Sequence, residues 1–146
     1  MSSISASLIL FSTAFLAATI LPGSSEAALA ALALARPEDK WILFAAATVG
    51  NTLGSATNWV LGRWLVGYAD RKWFPVSAAA LERAARKLSR FGSWSLLLAW
   101  LPIVGDPLTV AAGLLRVDFR AFLLFVGLGK AARYLVVLWG VQALAP

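Results

Sequence analysis

The apolar positions of the chain fall into four stretches of unequal kind. The first covers residues 4–21, meets Pro22, Gly23 and the carboxylate Glu26, and resumes over residues 27–35. A helix of that second length rises only about 14 Å, half of a hydrocarbon core of roughly 30 Å. The second stretch, residues 41–65, is long enough to span and carries Gly50, Asn51, Gly54, Asn58 and Gly62. In the polar interval that follows, residues 77–91 place Leu81, Ala84, Ala85, Leu88 and Phe91 at helical spacing, with Arg83, Arg86, Lys87 and Arg90 elsewhere. That pattern predicts an amphipathic linker helix lying on a membrane surface, with a solvated connector as the alternative for its first turn. The third stretch is broken again: residues 94–101, then Pro102, Gly105, Asp106 and Pro107, then residues 108–115. Neither arm spans alone. The fourth, residues 121–144, does span, and it contains Lys130 and Arg133.

The two broken stretches align without a gap at an offset of eighty residues. Leu21-Pro22 meets Leu101-Pro102, Arg36 meets Arg116, Trp59 meets Trp139, and the acids Glu26 and Asp106 coincide. The expected fold is therefore an all-α integral membrane domain, residues 1–146. It is an inverted repeat of two re-entrant helical hairpins, each followed by a transmembrane helix. Half A covers about 1–66, the basic amphipathic linker about 67–91, and half B about 92–146. A hairpin plus one crossing changes the side on which the next half starts, so the two hairpin tips are expected to meet near the midplane. Broken backbone is tolerated there only where protein or water surrounds it. The competing reading makes residues 4–21 a simple spanning helix.

Composition supports the membrane setting. Of 146 residues, 60% are hydrophobic and 14% charged, with a mean hydropathy of +0.78. A soluble domain carries roughly 45–50% apolar and about 25% charged residues. Cys 0 removes disulfides and zinc–thiolate sites, His 0 removes imidazole bases and ligands, and Asp+Glu 7 leaves few oxygen ligands for a metal. Enzyme chemistry is therefore not expected; neither is a cofactor or a metal.

The net charge is +6, and five of those charges lie between Arg63 and Arg90, where seven cations face Asp70 and Glu82. Cations concentrated beside spans mark cytoplasmic segments and anionic headgroups rather than nucleic acid. By the same rule the loop holding Arg116 and Arg120 is cytoplasmic, and the near-neutral one from Arg36 to Lys40 external. The N-terminal apolar run is followed by small residues, as in a secretory signal. It lacks a basic segment ahead of it, so it is read as structure.

A charge at membrane depth needs a partner or a function. Glu26 and Asp106 fall at the predicted tips, expected as gating or proton-coupling groups. Arg133 falls mid-helix with Lys130 one turn earlier on the same face. Arg grips phosphate through two parallel hydrogen bonds, and the half-helix N-termini after Pro22 and Pro102 offer backbone N–H groups to an anion. Arg133, Lys130, Asn51 and Asn58 are thus the candidate substrate contacts, and a lipid phosphate is the natural ligand. Simpler roles stand beside these. Glu26 caps a helix, Asp106 stops a turn before Pro107, Lys130 snorkels, the asparagines bond between helices, and the glycines allow close packing. Gly50-x-x-x-Gly54 also suits a homo-oligomer contact.

The strings Leu21-Pro-Gly-Ser-Ser-Glu26, Gly50-Asn-Thr-Leu-Gly54, Leu101-Pro-Ile-Val-Gly-Asp-Pro107, Ala112-Gly113 and Gly129-Lys-Ala-Ala-Arg-Tyr134 resemble the DedA family, also called the SNARE-associated or VTT-domain family. The resemblance runs from about Leu8 to Gly140 and is nearest to a short bacterial branch. It implies an inner-membrane protein with two opposed re-entrant hairpins. Some members are similar to transporters that return undecaprenyl phosphate across the membrane on the proton gradient, and eukaryotic members resemble phospholipid scramblases. By motif, Glu26 matches the family's early membrane acid and Arg133 the Arg of its Gly-x-x-x-Arg motif. Two positions depart from larger members: Ser55 follows Gly54 where they have an acid, and Asp106 stands where they have an Arg. The leading expectation is a translocator of undecaprenyl phosphate or a related anionic lipid. A proton-coupled small-solute transporter and a non-transporting assembly or homeostasis factor are the alternatives.

Overall fold

The computed structural model describes residues 1–19 and 23–144. The Ser2 hydroxyl accepts from the Ser5 amide at 3.1 Å and opens α1, Ser3–Ala17. This helix is apolar nearly all round. Ala6, Leu10 and Ala14, four residues apart, are buried, while Ile4, Leu8, Ile9 and Leu16 are exposed. Fifteen residues rise about 22 Å, less than the roughly 30 Å of a hydrocarbon core. The proline turn expected at Pro22 lies outside the described residues. The next described residue, Gly23, has φ +92°, a left-handed conformation that suits glycine, and α2 follows over Ser24–Ala35. At the far end of α2, Arg36 donates to the Met1 carbonyl and to the Ser3 hydroxyl, and it pairs with Asp39 at 2.6 Å. The end of α2 therefore lies beside the start of α1, and the two helices form a hairpin.

A 3₁₀ turn, Pro37–Asp39, leads into α3, Lys40–Trp64. Its 25 residues rise about 37 Å, yet among the described residues only α6 is both long and apolar enough to cross a membrane. Asn51, Thr52, Ser55 and Asn58 lower the hydropathy of α3, and all four are buried against protein rather than turned to lipid.

The linker helix forms where the pattern places it. The Ser77 hydroxyl caps α4, Ala78–Phe91, by accepting from the Ala80 amide at 3.2 Å. Its apolar stripe is divided: Phe91 remains exposed, while the rest packs within the chain. Leu81, Ala84 and Leu88 are buried against the segment Gly92–Trp100 and α5, Gly105–Leu114.

The arm expected over residues 94–101 is a 3₁₀ helix, Gly92–Trp100, longer than such helices usually run. Of the residues expected to break the second hairpin, Pro102 lies in the break, but Gly105 and Pro107 lie inside the first turn of α5. Proline is tolerated there because its missing N–H would have no intrahelical acceptor. The left-handed residue is instead Ile103, φ +65°. The Asp118 carboxylate then accepts from the Ala121 amide at the start of α6, Phe119–Leu144, 26 residues and about 39 Å long.

The eighty-residue offset survives in the backbone. Ser24–Ala35 and Lys40–Trp64 recur as Gly105–Leu114 and Phe119–Leu144, their ends agreeing to within one residue. Left-handed Gly23 recurs as left-handed Ile103.

The chain packs as two compact units. One contains α1, α2, residues 40–54 of α3 and residues 130–144 of α6; its core is Leu10, Leu29, Leu43, Tyr134 and Leu138 with small residues between them. The other contains residues 55–64 of α3, α4, Gly92–Trp100, α5 and residues 119–129 of α6, around Leu96, Leu108, Val110, Phe122 and Val126. Each long helix therefore serves both units.

Candidate functional site

In the first unit α6 presents Lys130, Arg133 and Tyr134, spaced three and four residues apart and so on one face. The first turn of α2 presents Ser25 and Glu26. Arg133 Nε meets Glu26 Oε1 at 2.8 Å, with the two side chains 27% and 19% exposed. The other oxygen, Glu26 Oε2, is buried and has no hydrogen-bond partner among the described residues. Beside this pair the Tyr134 hydroxyl donates to Ser25 Oγ at 2.9 Å, both residues being almost fully buried. Lys130, 5% exposed, does not snorkel: its ammonium donates to the side-chain oxygen of Asn51 and to the Asn51 carbonyl. Asn51 in turn donates to the Ala14 carbonyl at 2.8 Å, so one amide joins α1, α3 and α6. Glu26 sits in the first turn of α2, where a carboxylate also favours the helix dipole.

The second unit holds a smaller polar cluster. Asn58 Nδ2 lies 3.2 Å from Thr109 Oγ1 and 3.5 Å from Asp106 Oδ1, and the Thr109 hydroxyl donates to the Asp106 carbonyl at 2.8 Å. Ser55, one turn before Asn58, is fully buried, and its hydroxyl has no hydrogen-bond partner among the described residues. Trp59 donates to the Val117 carbonyl at 3.2 Å.

The structure thus brings Glu26, Arg133, Lys130 and Asn51 together in one unit and Asp106 with Asn58 in the other. In both, the acid of one half is met by the long helix of the other half. Sequence reasoning missed Ser25, Tyr134 and Thr109. The signal for Tyr134 was available, since a tyrosine hydroxyl inside an apolar span needs a partner. The glycines behave as close-packing positions. A Cβ at Gly50 or Gly54 would strike the α1 backbone at Phe11 and Phe15, so the Gly50-x-x-x-Gly54 face expected for an oligomer contact is filled by α1 of the same chain. Outside the spans, the Arg36 guanidinium and then the Ser3 hydroxyl hold the Asp39 carboxyl below its ordinary value.

Among the described residues the chain is all-helical, with an apolar 26-residue helix long enough to cross a membrane and an ion pair at its middle, the make-up of a helical membrane protein. The VTT-domain family model matches residues 21–142, and the chain belongs to that family, the DedA family. It is 41% identical over 128 residues to the inner membrane protein YqaA of Escherichia coli, covering 88% of this chain and 85% of that one, and equally so to the YqaA of Shigella flexneri. An uncharacterised protein of Haemophilus influenzae is 39% identical over 137 residues, 89% and 83% of the two chains. No solved structure matches. The chain is accordingly an inner-membrane protein.

Proposed function

We propose that the protein translocates an anionic membrane lipid, with undecaprenyl phosphate as the substrate to test first. The observation that carries this reading is the Glu26–Arg133 pair at the middle of the apolar span. A guanidinium matches phosphate through two parallel hydrogen bonds. A phosphate arriving at Arg133 competes with Glu26 for the same N–H groups. The displaced carboxylate takes up a proton, and it returns that proton when the phosphate leaves and the pair re-forms. Glu26, Lys130 and Arg133 together sum to +1, which favours an anion over a neutral solute.

In this reading each pair of short segments is a re-entrant hairpin, and the halves are inverted because a single crossing separates them. The basic interval between Arg63 and Arg90 then faces the cytoplasm. Asp106, with Asn58 and Thr109, gates the second half.

Reconstituted into liposomes, the wild type should accelerate flipping of a fluorescent polyprenyl phosphate. Arg133→Ala should reduce flipping to the protein-free rate while eluting from gel filtration as the wild type does. Glu26→Gln should flip lipid without response to a pH gradient. Unchanged flipping in folded Arg133→Ala overturns the proposal. A Glu26→Gln variant that loses a pH-driven solute uptake while lipid movement persists favours the small-solute transporter instead.

A further inference from the structure

A cavity apart from Arg133, lined in part by cations, lies in the other unit. Arg83 and Lys87 stand one turn apart on α4 and line a cavity of about 250 Å³ with Ile103, Val104, Pro107 and Leu108 at the start of α5. Of the neighbouring cations on α4, Arg86 pairs with Glu82 at 2.8 Å and Arg90 lies over the Phe91 ring. Arg83 and Lys87 make no ion pair or hydrogen bond among the described residues, and like charges at this spacing repel. The opposite wall is apolar and its rim is unusual. Ile103 is 92% exposed and adopts φ +65°, a conformation that is an outlier for a β-branched residue. Eighty residues earlier, the matching position is Gly23. The chain thus holds a strained backbone that turns a large apolar side chain outward beside two cations.

We infer that this cavity binds the headgroup of an anionic phospholipid of the surrounding leaflet. The phosphate lies between Arg83 and Lys87, and the first methylenes of the acyl chains run over Ile103. The volume falls below the roughly 300–1,000 Å³ of a drug-sized ligand site, so it takes the headgroup end and not a whole lipid. Charge complementarity and the apolar rim together select a lipid: a soluble anion would leave Ile103 in water. The inference rests on the membrane setting and not on transport.

The test is native mass spectrometry of the purified full chain in detergent with equal phosphatidylglycerol and phosphatidylcholine. The wild type should retain phosphatidylglycerol selectively, and millimolar inorganic phosphate should not displace it. Arg83→Gln with Lys87→Gln should cut that selectivity on the order of 25-fold, roughly five-fold per cation. The control pair Arg86→Gln with Arg90→Gln removes the same charge from the same helix and should cut it far less. Ile103→Gly should weaken retention several-fold without lowering the unfolding temperature. Equal losses in the two double variants, undiminished retention in Arg83→Gln/Lys87→Gln or in Ile103→Gly, or displacement by inorganic phosphate overturns the inference. A chain that retains phosphatidylglycerol in this way but flips no lipid sinks the transport reading alone.

Discussion

Replacing Gly62 by Ala adds one methyl group where α3 and α5 touch backbone to backbone. The new Cβ would fall inside the contact distance of the Val110 carbonyl and crowd the Leu114 amide; conversely, a Cβ at Gly113 would strike the Trp59 carbonyl and the Arg63 amide. Backbone cannot rotate aside as a side-chain tip can, so the helices must part by roughly 1–2 Å at this crossing. A gap of that size forfeits a quarter to a half or more of each dispersion contact nearby, and the contacts concerned include buried Val110 and Ala111. Overpacking of this kind costs about 1–3 kcal/mol, while alanine gains up to about 1 kcal/mol over glycine in helix propensity. The expected net loss is about 1 kcal/mol, read as a shifted midpoint when tryptophan fluorescence follows unfolding in mixed dodecyl sulfate micelles. Gly140→Ala is the matched control: it lies in α6 with nothing within 4 Å of the added methyl, so the same substitution there should stabilise by about 0.5–1 kcal/mol. If Gly62→Ala proved as harmless as Gly140→Ala, the close approach of α3 and α5 would be refuted.

Three further outcomes follow from the polar contacts. Asn51→Ala should destabilise by about 2–4 kcal/mol in the same assay, because it strips an acceptor from the buried Lys130 ammonium and a donor from the Ala14 carbonyl; Asn51→Asp should recover much of the loss. Tyr134→Phe should cost about 1 kcal/mol by leaving the buried Ser25 hydroxyl without its donor, and a loss below measurement would argue against that bond. Asp39 titrates lower in the folded chain than its ordinary value of 3.8, so the stability it contributes is complete above that pH and is lost as pH falls through the lower folded value. Unfolding midpoints should therefore drop on acidification below about pH 4, less steeply in Asp39→Asn.

The lengths of the two long helices, the break at Pro102 and the eighty-residue offset were legible because they depend on local periodicity and on proline. That Glu26 and Arg133 each need a partner was legible too, since a charge inside an apolar segment demands one; which group meets which was not. What escaped prediction depends on tertiary company. The stripe of α4 reads the same whether a bilayer or α5 covers it, and Gly50-x-x-x-Gly54 reads the same whether α1 or a second chain fills it. Nor could periodicity show that residues 92–100 wind as a 3₁₀ helix, or that the left-handed residue before α5 is an isoleucine.

The crossed construction of the two units has a bearing on how such a protein could be dissected. Glu26 lies in the first repeat and Arg133 in the second, whereas Asp106 lies in the second and Asn58 in the first. Neither repeat expressed by itself would carry a complete polar centre. In the inverted arrangement proposed above, completing either centre would take a second molecule inserted the other way up.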